Sequence, residues 1–190
     1  ERQQLHVRVR SHRAECDRRE EAEARLNAAE EMVGSGELRK TLADVESEGV
    51  RVLLRPLMNE CQQREDMERA LREAEERIGS HELRRVLKDW QERNIRIDVR
   101  SLPEEAEERE AAERALREAA ARLGSGALEE AIAQHEKVRV DFGPSRAELA
   151  ERRRAEEALR DALRAPGSRE LRAAVDAATA QRIRVELEPY

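Results

Sequence analysis

Ile95-Arg-Ile-Asp-Val-Arg100 alternates apolar and charged residues without a break. That is the period of a half-buried β-strand. A similar pattern runs through Leu5–Arg10, Val50–Arg55, Val138–Gly143 and Ile183–Glu188. Successive starts are 45, 45, 43 and 45 residues apart. A constant period of this length marks a stacked repeat array. The array comprises units 5–49, 50–94, 95–137 and 138–182 and a terminal strand at 183–190, in a single span over residues 1–190.

Each strand-like segment leads into a long helical pattern rich in Ala, Glu and Arg. The predicted starts lie at Ser11, Pro56, Ser101 to Pro103 and Pro144-Ser145, residue types suited to a first helical turn. The apolar stripe is Cys16/Cys61/Ala106/Leu149, Ala22/Met67/Ala112/Ala155, Leu26/Leu71/Leu116/Leu159 and Ala29/Ala74/Ala119/Ala162. Glu15–Arg19, Glu60–Arg64, Glu105–Arg109 and Glu148–Arg152 repeat a Glu-to-Arg pair four residues apart, expected on the helix surface. Glu68–Arg72, Glu113–Arg117 and Glu156–Arg160 form a second set, which the first unit breaks with Glu23–Asn27.

Gly34-Ser35, Gly79-Ser80, Gly124-Ser125 and Gly167-Ser168 then end the long helix and cap a short one. Leu38, Leu83, Leu128 and Leu171 begin the apolar stripe of that short helix. Gly49 and Asn94 release the chain into the next segment, and the third unit is two residues shorter at this exit. Strands linked by helical crossovers are most simply parallel. The expected fold is therefore α/β, a solenoid of strand–long helix–short helix units with a parallel five-stranded sheet. The alternative is an all-α solenoid of helical hairpins, with the alternating segments as extended linkers.

Charged residues make up 42% of the chain and aromatics 2%, which suits a narrow core between neighbouring units better than one globular core. The net charge of −6 disfavours nucleic acid as the main partner. No apolar run reaches the roughly 18 residues of a membrane span, and no secretory signal is visible. The chain begins at Glu1 without Met, as expected of a segment of something longer. Cys16 and Cys61 share one repeat position and are expected to be buried, reduced packing residues.

No nucleophile stands beside a base, so no enzymatic role is expected. His6, His12, His81 and His135 lack metal-ligand spacing, and no cofactor-binding loop is present. Stacked in register, the outward side of the sheet would carry the row His6/Arg51/Arg96/Arg139/Arg184, flanked by Arg55 and Arg100. These arginines, Arg51, Arg96, Arg139, Arg184, Arg55 and Arg100, are the candidate partner-binding residues.

Leu83-Arg-Arg-Val-Leu-Lys-Asp-Trp-Gln-Glu-Arg-Asn-Ile95, followed by a long Ala/Glu/Arg helix ending in Gly-Ser, resembles the degenerate helical-hairpin repeats of large cytoskeletal and flagellar proteins of protists. The resemblance covers all four units and implies a scaffold without enzymatic activity in the repeat. The chain departs from that pattern in its strict alternating segments, which favours the sheet. The expected function is a structural scaffold or protein–protein interaction segment of a larger intracellular, cytoskeleton-associated protein. Self-association is expected through sheet edges. The alternative is polyanion or nucleic-acid binding through the arginine row.

Overall fold

The computed structural model describes the backbone of residues 2–185 and the side chains of residues 12–185. The described residues form eight α-helices and no β-strand: α1 Arg2–Glu31, α2 Gly36–Ser47, α3 Arg55–Glu76, α4 His81–Arg93, α5 Leu102–Ala121, α6 Gly126–Gln134, α7 Gly143–Arg164 and α8 Arg169–Ala180. This overturns the parallel five-stranded sheet and is consistent with the all-α alternative. Long and short helices alternate through tight turns at the four Gly-Ser pairs. The predicted starts of the second to fourth long helices are met closely: Pro56, Pro103 and Pro144 are each the second residue of their helix. There the missing N–H costs nothing.

The alternating segments fail as strands for a specific reason. Val52, Ile97, Val140 and Val185 each donate an N–H to the carbonyl two residues back, on Val50, Ile95, Val138 and Ile183, at 2.9–3.1 Å. A bond of that span closes a γ-turn and uses groups that a sheet ladder would need. Each segment is thus a short linker curled on itself. The in–out alternation still holds: Ile97, Val140 and Val185 are buried, while Arg51, Arg96, Arg139 and Arg184 are exposed. Leu5–Arg10 lies inside α1, so the first predicted strand is helical, and its side chains lie outside the described residues. Of the terminal strand at 183–190, residues 186–190 lie outside the described residues; Ile183 to Val185 are not strand. Without strands there is no sheet edge among the described residues, so the expected edge-to-edge association has no basis.

The chain divides into two units, Glu1–Glu76 with Leu83–Leu102, and Arg77–Glu82 with Pro103–Tyr190. In the first, Ala22, Leu26 and Ala29 of α1 meet Leu38, Leu42 and Val45 of α2, and Cys61 of α3 joins them. In the second, Ala112, Leu116 and Ala119 of α5 meet Leu128 and Ala131 of α6 with Val140 of the linker. Leu159, Ala178 and Val185 form a smaller cluster there. Each fully buried Leu contributes about 1.5–3 kcal/mol. Small Ala side chains let the paired helices approach closely.

The short-helix exits explain the two-residue deletion. Gly49, Asn94 and Arg182 leave α2, α4 and α8 at φ +67°, +51° and +54°. The third exit, after α6, has no such left-handed residue, and α6 is the shortest helix at 9 residues. Trp90 marks the second exit, where its indole N–H donates to the Ile95 carbonyl at 2.8 Å.

Candidate functional site

The largest fully buried side chains among the described residues are not apolar. They are Arg64, Arg109 and Arg152. A buried guanidinium is tolerable only when its donors are matched and its charge is countered. The Nη donors of each meet the end of the preceding long helix, where the last carbonyls lack intrahelical partners.

Arg64 on α3 shows the arrangement in full. Its Nη1 donates to the carbonyls of Met32 at 2.8 Å and Gly34 at 2.9 Å, and its Nη2 to that of Glu30 at 2.7 Å. Its Nε donates to Glu60 Oε1 at 3.1 Å, and Nη2 also pairs with Glu60. A planar guanidinium with donors fixed in a fork suits such a set of acceptors; an ammonium does not. The positive charge also sits at the negative end of a helix.

Four residues further along α3, one turn on, Glu68 takes the other side of the same turn. Its Oε1 accepts from the Ser35 amide at 2.9 Å and its Oε2 from the Ser35 hydroxyl at 2.6 Å. Ser35 is the N-cap of α2, but its side chain makes no capping bond to α2. The cap is supplied by the carboxylate of Glu68, an anion at the positive end of a helix. One turn of α3 thus grips both helix ends that meet at Gly34-Ser35. Gly34, at φ +95°, permits the turn, and a Cβ there would stand 3.3 Å from Glu68 Oε1.

The second unit repeats the device twice. Arg109 donates to the carbonyls of Arg77 at 2.8 Å and Gly79 at 3.0 Å and pairs with Glu105. Glu113 accepts from the Ser80 amide and hydroxyl at 2.9 and 2.7 Å. Arg152 donates to the carbonyls of Arg122, Gly124 and Ala120 at 2.8, 2.8 and 2.6 Å and pairs with Glu148. Glu156 accepts from the Ser125 amide and hydroxyl at 2.7 and 2.6 Å.

A third contact completes each joint. The amides of Gly34, Gly79 and Gly124 donate to the carbonyls of Arg96, Arg139 and Arg184 at 2.9, 3.0 and 2.8 Å. These are the central residues of the linker γ-turns, so each curled linker lies across a Gly-Ser turn.

Three sequence expectations are corrected by this geometry. The Glu–Arg pairs placed on the helix surface have buried arginines in three of four units. The second set of pairs is not formed as expected, because Glu68 turns to Ser35 and Arg72 Nε donates to the Glu68 carbonyl at 3.2 Å. Cys61 is buried as expected, and burial pushes its thiol pKa up. Cys16 is exposed, contrary to expectation, because no Gly-Ser turn covers its part of α1.

The candidate arginines are not gathered into one face by a sheet. Arg51 and Arg55 are exposed. Arg96 Nη1 lies 3.1 Å from Glu31, and Arg100 Nε lies 3.0 Å from Asp98. Arg184 Nη1 donates to the Ala120 carbonyl at 3.0 Å, and Arg139 is exposed. Arg96, Arg139 and Arg184 share a backbone role, each accepting the amide of a turn glycine.

An open cleft of about 430 Å³ in the first unit is lined by Leu71, Arg72, Glu75, Asp98, Val99 and Arg100, among others. Its charges are mixed. Among the described residues no group of His, Cys, Asp and Glu is placed to hold a metal ion, and no helix is long and apolar enough to cross a membrane. Comparison of the chain with protein-family models, curated proteins and solved structures returned no match.

Proposed function

We propose that the chain is a structural scaffold: an array of helical hairpins that bears charged surface for protein partners. One observation carries this reading. All three fully buried arginines are committed to joining a long helix to the turn before it, and in each joint Nη1 donates to the carbonyl of the turn glycine. Repetition of a joint serves extension; a catalytic or ligand site needs only one well-made copy. The sequence resemblance to protist cytoskeletal and flagellar repeats supports placing the scaffold in the cytoskeleton or flagellum.

Proximity labelling in cells, with a biotin ligase fused to the chain, tests this. Filament-associated proteins should dominate the labelled set. A set dominated by nucleic-acid-binding proteins, or by enzymes of one reaction sequence, would overturn it.

A second reading is polyanion binding. It is supported by the exposure of Arg51, Arg96, Arg139 and Arg184 at equivalent turn positions, which does not depend on a sheet. Retention on a heparin column should then fall when Arg51, Arg96 and Arg139 are replaced by Glu. Unchanged retention would exclude that reading.

A further inference from the structure

We propose that the open cleft of the first unit is a docking site for an aromatic side chain of a protein partner. The proposal rests on the scaffold reading and gives the chemistry of one partner.

Two copies of the same joint differ at this place. The cleft lies between α3 and the linker that follows α4, and its apolar floor is Leu71, Val99 and Leu102. The repeat spacing is 45 residues along the long helix and 43 along the linker, so Leu71, Glu75 and Val99 correspond to Leu116, Ala120 and Phe142. In the second unit Phe142 is half-buried, and it packs with Ala120 against the cluster that contains Leu116. In the first unit the smaller Val99 stands at that register position, and a cleft of about 430 Å³ opens beside Leu71. The cleft thus holds the place that a benzyl side chain fills in the sister joint.

Its size and lining suit such an occupant. Ligand pockets run from roughly 300 to 1,000 Å³, with an apolar lining and a few polar groups. Val99 and Leu102 are half-buried, so an incoming ring would remove apolar surface from water. Aromatic side chains seated in pockets are the common anchors of protein interfaces.

The rim favours an aromatic over an aliphatic group. A guanidinium within about 6 Å of a ring centroid is attracted to the face of the ring. The second unit already has that contact, with the Arg146 guanidinium 5.6 Å from the Phe142 centroid. Position 146 corresponds to Pro103, but Arg72 and Arg100 line the cleft and are exposed. An ion pair uses the edge of a guanidinium and not its face, so the pair that Arg100 Nε makes with Asp98 at 3.0 Å is compatible with stacking. Glu75, in place of Ala120, and Asp98 put carboxylate acceptors on the wall. An indole N–H donates to a carboxylate and a phenyl ring does not, so tryptophan is the preferred ring.

Titration of the isotope-labelled whole chain with N-acetyl-tryptophanamide, followed in amide nitrogen–proton correlation spectra, tests this. Saturable shifts should appear at residues 71–75 and 98–102 and not at the corresponding 116–120 and 141–145. N-acetyl-leucinamide should bind about two- to fivefold more weakly, the weight of one exposed cation–π contact. Val99→Phe copies the sister joint; it should melt no lower than the unaltered chain and lose the shifts. Arg72→Ala combined with Arg100→Ala changes exposed side chains only and should weaken binding at least about twofold, which keeps the test decisive should Val99→Phe fail to fold. The proposal is overturned by the lack of saturable shifts at these residues up to the solubility limit of the probe. Binding indifferent to a folded Val99→Phe or to the double arginine variant, or equal binding of the leucine probe, would also overturn it. Any of these results leaves the proximity-labelling outcome, and with it the scaffold reading, untouched.

Discussion

Replacing Arg64 by Met tests the joint most directly. Met replaces the apolar stem as far as about Nε and has no donors, so the carbonyls of Glu30, Met32 and Gly34 lose their charged partner. Bonds to a charged group are worth about 1.5–3 kcal/mol each. Three cannot simply be summed, because removing the guanidinium also removes its own desolvation cost. Glu60 is left 34% exposed, so water takes over its carboxylate. Breaking a buried ion pair from one side costs about 3–5 kcal/mol, and the relief at Glu60 puts the expected loss near the lower limit, about 3 kcal/mol. Arg19→Met removes the same residue type from the same repeat position, but a half-exposed pair is worth only about 0.2–1 kcal/mol. Arg64→Lys should fall between, since an ammonium supplies donors but no planar fork. Urea denaturation followed by far-UV circular dichroism, on dilute protein, measures all three. A loss under about 1 kcal/mol for Arg64→Met would show that its buried bonds contribute no net stability. Equal losses at positions 64 and 19 would refute the link between burial and joint.

Further outcomes follow from the same geometry. Glu113→Ala strips the cap from the Ser80 amide and hydroxyl and should cost about 1–2 kcal/mol by urea denaturation, with Ser80→Ala costing less because the amide bond survives. Gly79→Ala should cost at least about 1–2 kcal/mol, since φ is +95° and the new Cβ would lie 3.1 Å from Glu113 Oε1. Arg182→Gly should instead stabilise by up to about 1 kcal/mol, because Arg182 holds φ +54° without glycine's freedom; a lower melting temperature would contradict that. The hydrogen bond from Arg25, 2.8 Å from Glu48 Oε1, holds the Glu48 carboxyl below its ordinary pKa. A lowered folded-state value adds stability above the unfolded carboxyl range and loses it as the pH falls through the folded value. The stability gap between the unaltered chain and Glu48→Gln should therefore narrow on acidification and close once both carboxyls are protonated.

The period, the alternation of long and short helices, the Gly turns and the site of the two-residue deletion were all legible in the residues. The sheet was a false inference from a true pattern. Alternation of Ile95, Ile97 and Val99 with Arg96, Asp98 and Arg100 reports which side each residue faces. It does not report what the backbone is bonded to. A γ-turn linker lying on helices alternates as a strand does, and only the Ile97-to-Ile95 bond separates the two.

The buried arginines were hidden by their chemistry, because Arg four residues after Glu on a charged helix is ordinarily solvated. A signal was nonetheless present. Glu60, Arg64 and Glu68 recur as Glu105, Arg109 and Glu113 and as Glu148, Arg152 and Glu156, while neighbouring exposed positions such as Gln62, Glu107 and Ala150 vary. Invariance alone did not mark burial, since Arg72, Arg117 and Arg160 recur as faithfully and are exposed; a Glu recurring both four residues before and four after the same Arg, ahead of a Gly-Ser turn in the preceding copy, was the fuller signal.

The two-pronged grip has a consequence for how such a chain can change length. Its prongs sit one helical turn apart, and the turn glycine they meet lies 30, 30 and 28 residues before the arginine in the three joints. An insertion or deletion within a long helix rotates the prongs off the stripe, by about 100° per residue, and uncouples the joint. The exit after α6 contains no prong and no gripped carbonyl, and it is where the chain has lost two residues. Length in this protein is therefore quantised. Whole hairpins can be added or removed without altering any joint's chemistry, and the short-helix exits are the places where a linker, tag or reporter domain should be spliced.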